Sequence, residues 1–155
     1  MTQPNAGTLF GHPKGLFLLF GTEMWERFGY YGMRALLVLY LVASVQDGGF
    51  GWTAGEALSL YGTFTMAVYL TPVLGGWLAD NYIGQRKAII YGGLIFSLGY
   101  FTLGIPKSMI VGMEETVFYI GLALIIIGNG LFKANVSSLV GDLYEDGDHR
   151  RDGAF

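Results

Sequence analysis

Two glutamates, two arginines and a lysine sit in this sequence where apolar surroundings make ionised side chains costly. Residues 21–34 read G-T-E-M-W-E-R-F-G-Y-Y-G-M-R and carry Glu23, Glu26, Arg27 and Arg34 between two almost wholly apolar runs, 16–20 and 35–43. Lys133 lies in a second apolar stretch, within N-G-L-F-K-A-N-V-S-S. Each charge at the centre of a bilayer costs about 2.5–3.5 kcal/mol even on a lenient insertion scale, so such groups pair or face water inside a bundle. Carboxylates beside cations in a poorly hydrated place can exchange protons. Cations there can hold a carboxylate ligand.

Helical spacing groups these residues. At about 100° per residue, Glu26, Tyr30, Glu23, Arg34, Arg27 and Tyr31 share an arc of roughly 140°, with Trp25 and Phe28 on the far side. The stripe from Glu23 to Arg34 is about 16 Å long. Glu23 and Arg27 stand at i, i+4 with the acid N-terminal, the favourable order for an intrahelical pair. Asn129, Lys133 and Ser137 recur at i, i+4, i+8. With residues 15 and 140 near one membrane face, Glu23 and Lys133 each lie about 10 Å inside it, so the spacing predicts a Glu23–Lys133 or Glu26–Lys133 pair. The plainer alternatives are a snorkelling Lys133 and a charge-balanced structural network in the first helix. Tyr61, Thr65 and Tyr69 line one side of another helix, where tyrosines are usually packing or interfacial.

The elements that must position these residues are membrane helices. Apolar residues make up 52 % of the chain and charged residues 14 %, and glycine is abundant enough for close helix packing. A net charge of −3 with nine Lys and Arg argues against nucleic-acid binding. Cysteine is absent, and the two histidines, His12 and His149, fall outside the apolar segments, so no cofactor or metal centre is expected. The pattern predicts an all-α membrane protein. A flexible lead at 1–14 precedes four transmembrane helices at about 15–45, 53–78, 88–105 and 116–140, and a charged segment at 141–155 ends it.

Local signals fix the connections. Thr53 with Glu56 reads as a capping box, Pro106 stops the third helix, and Glu114 and Glu115 suit the start of the fourth. Asp80–Lys87 reads as a tight polar loop in which Gly84 permits the reversal and Asp80, opposing the helix dipole, clasps a basic residue. Lys14, Arg86, Lys87, Arg150 and Arg151 fall on one side and Lys107 on the other, which places both termini in the cytoplasm. The first apolar run lacks a basic flank and runs into Glu23, so no cleaved signal is expected. That absence and the compact loops point to a bacterial inner membrane.

The motifs resemble a known family. Glu23-x-x-Glu26-Arg27-Phe28-x-Tyr30-Tyr31-Gly32 is similar to the E-x-x-E-R-F-x-Y-Y-G signature of proton-dependent oligopeptide transporters, in the major facilitator superfamily. Gly76–Lys87 resembles that superfamily's gating motif between helices 2 and 3, and residues 128–135 resemble the family's helix 4 with its lysine. The resemblance implies a fold of at least twelve helices in two six-helix halves, of which these four would begin the first. Helices 5 onward would be required for function. It further implies a symporter of di- and tripeptides, with Glu23, Glu26, Arg27 and Lys133 in proton coupling. Arg27, Tyr31, Arg34, Tyr69 and Lys133 would bind peptide, and Gly76, Asp80, Gly84, Arg86 and Lys87 would form the gating loop. Related transporters move nitrate or other small anions, and a non-transporting four-helix membrane subunit is a further alternative. Neither is an enzyme.

Overall fold

Four long helices follow from four long apolar runs whose turn signals lie between them. In the computed structural model, which describes residues 7–145 together with Asp148 and Arg150, α1 spans Lys14–Val42, α2 Ala54–Leu78, α3 Gln85–Leu103 and α4 Glu114–Gly141. Among the described residues, two stretches are long and apolar enough to cross a membrane, Ala54–Ile83 and Glu114–Gly141. Hydropathy by itself therefore marks fewer spans than the four predicted. The physical reason is the charge stripe on α1 and the two cations, Arg86 and Lys87, that open the 19-residue α3.

The start of α2 has the expected chemistry. Thr53 Oγ1 accepts from the Glu56 amide at 3.3 Å, and the Thr53 amide donates to Glu56 Oε2 at 2.9 Å. The two side chains thereby satisfy amides that the first helical turn leaves unpaired. The end of α2 differs from expectation. Instead of a loop, Ala79–Ile83 continue as a π-helical turn, Gly84 reverses the chain at φ 79°, and α3 begins at once with Gln85. A positive φ is open to glycine without Cβ strain, so the reversal needs one residue. Asp80 is exposed and, among the described residues, forms no ion pair, so the expected clasp to a base is not made.

The predicted flexible lead also differs, as far as it is described. Thr8–Leu9 pair antiparallel with His12–Pro13, forming a short hairpin of β1 and β2 that docks on the far end of α4. His12 Nδ1 lies 2.7 Å from the Tyr144 hydroxyl, and Arg150 Nη1 donates to the Gly11 carbonyl at 2.8 Å. His149 and Arg151 lie outside the described residues.

At the opposite end Lys107 joins the two loops. Its ammonium donates to the Gly49 carbonyl at 2.7 Å and stands 3.8 Å from the Phe50 ring centroid, a cation–π contact. Phe50 in turn packs on Tyr40, Trp52 and Phe118.

The centre of the bundle is α4, packed most extensively on α3 and then on α2, while α1 lies more loosely alongside. Glycines let the backbones meet, as lipid-embedded interfaces require in the absence of a hydrophobic drive. A Cβ on Gly128 would meet the Phe96 amide and lie 2.8 Å from the Gly92 carbonyl, and one on Gly75 would strike the Gly130 backbone. Asn135 and Thr71 add bonds to neighbouring carbonyls across the same α2–α4 seam. Two apolar clusters result. One joins Tyr30, Leu37, Leu41, Phe64, Phe96 and Ile125, and the other joins Leu19, Phe132, Val136 and Val140. Gly128→Ala should therefore lower the thermal unfolding stability by about 1–3 kcal/mol through overpacking. Gly55→Ala, whose Cβ meets nothing within 4 Å, should be neutral or mildly stabilising.

Candidate functional site

The polar stripe on α1 is divided by the packing of the helix. Glu26 and Tyr30 turn inward and are buried, whereas Arg27 and Tyr31 are exposed and Glu23 is half-buried between them. Each polar group has a different partner. Arg27 Nη2 donates to Glu23 Oε1 at 2.6 Å, and Arg27 Nε donates to the same oxygen at 3.1 Å. The predicted i, i+4 pair is thus present, on the outer face.

Glu26 is held from α4. Asn129 Nδ2 donates to Glu26 Oε1 at 2.8 Å, and both residues are buried. The expected Glu23–Lys133 or Glu26–Lys133 ion pair is not formed. Lys133 lies one turn further along α4 than Asn129 and stands over the Tyr69 ring, with its ammonium 5.2 Å from the centroid. Among the described residues it has no carboxylate within ion-pair distance. A charge that is desolvated on one side gains from a ring face without being neutralised.

Arg34 completes the set. Its Nε donates to the Tyr61 hydroxyl, and its guanidinium carbon lies 4.9 Å from the Tyr61 ring centroid. Tyr69 and Tyr31 are exposed, at 56 % and 54 %. The arrangement therefore offers three cations, Arg27, Arg34 and Lys133, and several phenol rings along the edge where α1, α2 and α4 approach one another. Fixed cations with hydroxyl donors beside them can bind an anionic, amide-rich ligand. The loop candidates are scattered differently. Gly76 lies against α4, where a Cβ would sit 3.5 Å from that of Ala134, while Asp80, Gly84, Arg86 and Lys87 are exposed at the α2–α3 reversal.

Two residues of the site were placed on their helix faces by the sequence, but without their partners. Tyr61 was visible on the same side of its helix as Tyr69, but nothing in its type announced a bond to Arg34. Asn129 was visible on the Lys133 face, level with Glu26, but a neutral amide was not marked as the partner of a buried carboxylate.

The fold and the polar edge define a four-helix bundle that carries cations and phenols along one open edge. Comparison with known proteins makes this specific. The POT family model (PTR2) matches residues 86–155. The chain is 48 % identical over 146 residues to the uncharacterized transporter YclF of Bacillus subtilis, covering 94 % of this chain and 28 % of that protein. It is 47 % identical over 152 residues to the peptide transporter YePEPT of Yersinia enterocolitica, covering 98 % and 29 %. A crystal structure of a peptide transporter POT in complex with sulfate superposes with a TM-score of 0.90 at 47 % identity, over 97 % of this chain and 29 % of that one. The chain is similar to the N-terminal part of POT-family transporters, and it has the fold of the first four helices of the major facilitator N-terminal bundle. It spans between a quarter and a third of the length of the relatives it matches.

The Glu26–Asn129 bond makes a stability prediction. Glu26→Leu strands the buried Asn129 amide and should cost about 1–3 kcal/mol in thermal unfolding measured in detergent. Glu26→Gln keeps an acceptor for that amide and should cost less.

Proposed function

We propose that this bundle forms one wall of the substrate cavity of a proton-coupled symporter of di- and tripeptides, completed by further helices of the same transporter. The observation that carries the reading is the state of the three cations. Arg27, Arg34 and Lys133 are held by one carboxylate and two phenols at an open edge and are not sealed in ion pairs within the core. A purely structural network would gain more from pairing them inside or replacing them with apolar residues. The similarity to a peptide transporter at 47 % identity supports the choice of ligand.

Arg27 and Lys133 would receive the peptide carboxylate, and Tyr31, Arg34 and Tyr69 would contact its backbone and side chains. Coupling follows from competition for one cation. While Arg27 is bonded to Glu23, that carboxylate stays ionised. When the peptide carboxylate takes Arg27, Glu23 loses its partner inside the cavity that the further helices would close, and it would be free to take up a proton. Peptide and proton then favour each other's binding, because coupling between two ligands is reciprocal. Protonation and peptide loading together would permit rocking of the two halves, with the Gly76, Asp80, Gly84, Arg86 and Lys87 reversal as part of the cytoplasmic gate. The excess of cations on that side supports a cytoplasmic N-terminus, and the bacterial relatives support a bacterial inner membrane.

Two measurements on the full transporter test this. Glu23→Gln should abolish uptake driven by a pH gradient while leaving counterflow exchange of labelled dipeptide measurable. Uptake that still follows the gradient would remove Glu23 from coupling. Tyr69→Phe keeps the ring under Lys133 and loses only the hydroxyl, so peptide affinity should fall by roughly 2–10-fold. Unchanged affinity returns Tyr69 to packing.

A further inference from the structure

The two glutamates of the α1 stripe stand in unlike surroundings, and the buried one has a partner that the proposed mechanism does not use. Glu26 is 9 % exposed and Asn129 1 % exposed. Their 2.8 Å bond joins helices 103 residues apart in sequence. Along α1 it lies between Leu19, in one apolar cluster, and Tyr30, in the other. Along α4 it lies between Phe132 and Ile125 of the same two clusters. The bond is therefore sealed by packed side chains above and below.

Asn129 has capacity to spare. Its Oδ1 is buried and makes no hydrogen bond, although the amide Nδ2 on the same carbon is engaged. A buried acceptor left unpaired is costly and calls for a reason. A carboxylate can only accept, so it needs a donor. A carboxylic acid carries a hydroxyl and needs an acceptor. The side-chain amide presents one of each.

We propose that Asn129 is the positioning residue of Glu26, holding its carboxyl against α4 in both protonation states; this rests on Glu26 being a proton-linked carboxylate. Nδ2 donates to the ionised form, and Oδ1 accepts from the protonated form after a small rotation about the amide. Glu26 can then change charge without releasing α1 from α4. The ionisable groups facing Glu26 are Lys133 from α4, Arg27 and Glu23 from its own helix and Tyr100 from α3. The Tyr100 ring also packs beside Gly29, one turn from Glu26. From α2, Tyr61 and Tyr69 act on the adjacent Tyr30. Glu23 already has Arg27, and Lys133 is engaged with Tyr69, which leaves Asn129 as the group bonded to Glu26.

The test is an infrared titration of the carboxyl band in the purified full transporter, with the Glu26 band assigned by its loss in Glu26→Gln. In Asn129→Leu the titration midpoint of that band should move toward higher pH by about one to two units. The ionised form loses the stronger, charge-assisted bond and the acid the weaker one. Asn129→Asp is isosteric and preserves packing if the leucine variant does not fold. There two carboxyl groups share one proton, and the single titration should split in two. A band unmoved in frequency and midpoint in either folded variant overturns the positioning role. Uptake measured in parallel separates this inference from the functional reading. A moved midpoint with a pH profile of uptake indifferent to Glu26→Gln keeps Asn129 as the positioner and removes Glu26 from coupling. An unmoved midpoint with a pH profile abolished by Glu26→Gln keeps the coupling and removes Asn129.

Discussion

The structure depends on how ionised groups are kept inside an apolar bundle. Burying an unpaired charge costs several kcal/mol, and a charge paired inside a core gains less than its desolvation takes unless its remaining bonds are made. This chain spreads that constraint over several devices. Glu23 and Arg27 neutralise each other on an exposed helix face. Glu26 turns inward and is met by a neutral amide. Arg34 and Lys133 lie against phenol rings, which stabilise a cation and leave its charge available. The result is a site with two kinds of polar group, one internally satisfied and one open to a ligand.

That arrangement needs a rigid frame, and the glycine seams supply it. Packing α4 backbone-to-backbone against α2 and α3 fixes where Asn129 and Lys133 point. α1 is different, because it touches α2 and α4 over fewer residues. Its attachment at the level of the stripe combines the Glu26 bond and the Arg34–Tyr61 bond with the Tyr30 ring packed on Phe64. A helix held by polar bonds between two apolar clusters is one whose position responds to charge, which links the proposed chemistry to the proposed movement.

The features legible in the sequence were those set by short-range rules. Periodicity grouped the α1 stripe, the i, i+4 rule gave Glu23–Arg27, and the Thr53–Glu56 spacing gave the cap. The partner of Glu26 was not legible. Matching depths pointed to Lys133, yet Asn129 makes the bond, one helical turn or about 6 Å away. Counted from residues 15 and 140, Glu26 and Asn129 each lie eleven residues in, so depth allowed this pair as well, and opposite charge is what favoured the lysine. The Asp80 region failed for a related reason. A run of polar residues reads as a loop, but Ala79–Ile83 keep helical hydrogen bonding into the interface region, where water can solvate their side chains.

The burial pattern of the stripe carries a consequence for specificity. Arg27, Tyr31 and Tyr69 are exposed, whereas Tyr30 and Glu26 are not, although all but Tyr69 belong to one predicted face of α1. A ligand meeting this wall therefore encounters cations and hydroxyls first and the buried carboxyl only through α1 itself. In the proposed cavity, attraction for a carboxylate would be direct, while discrimination among side chains would come largely from surfaces opposite this wall. On the proposed function, a bundle of this kind would supply the charge recognition common to many ligands and leave selectivity among them to the other half of the cavity.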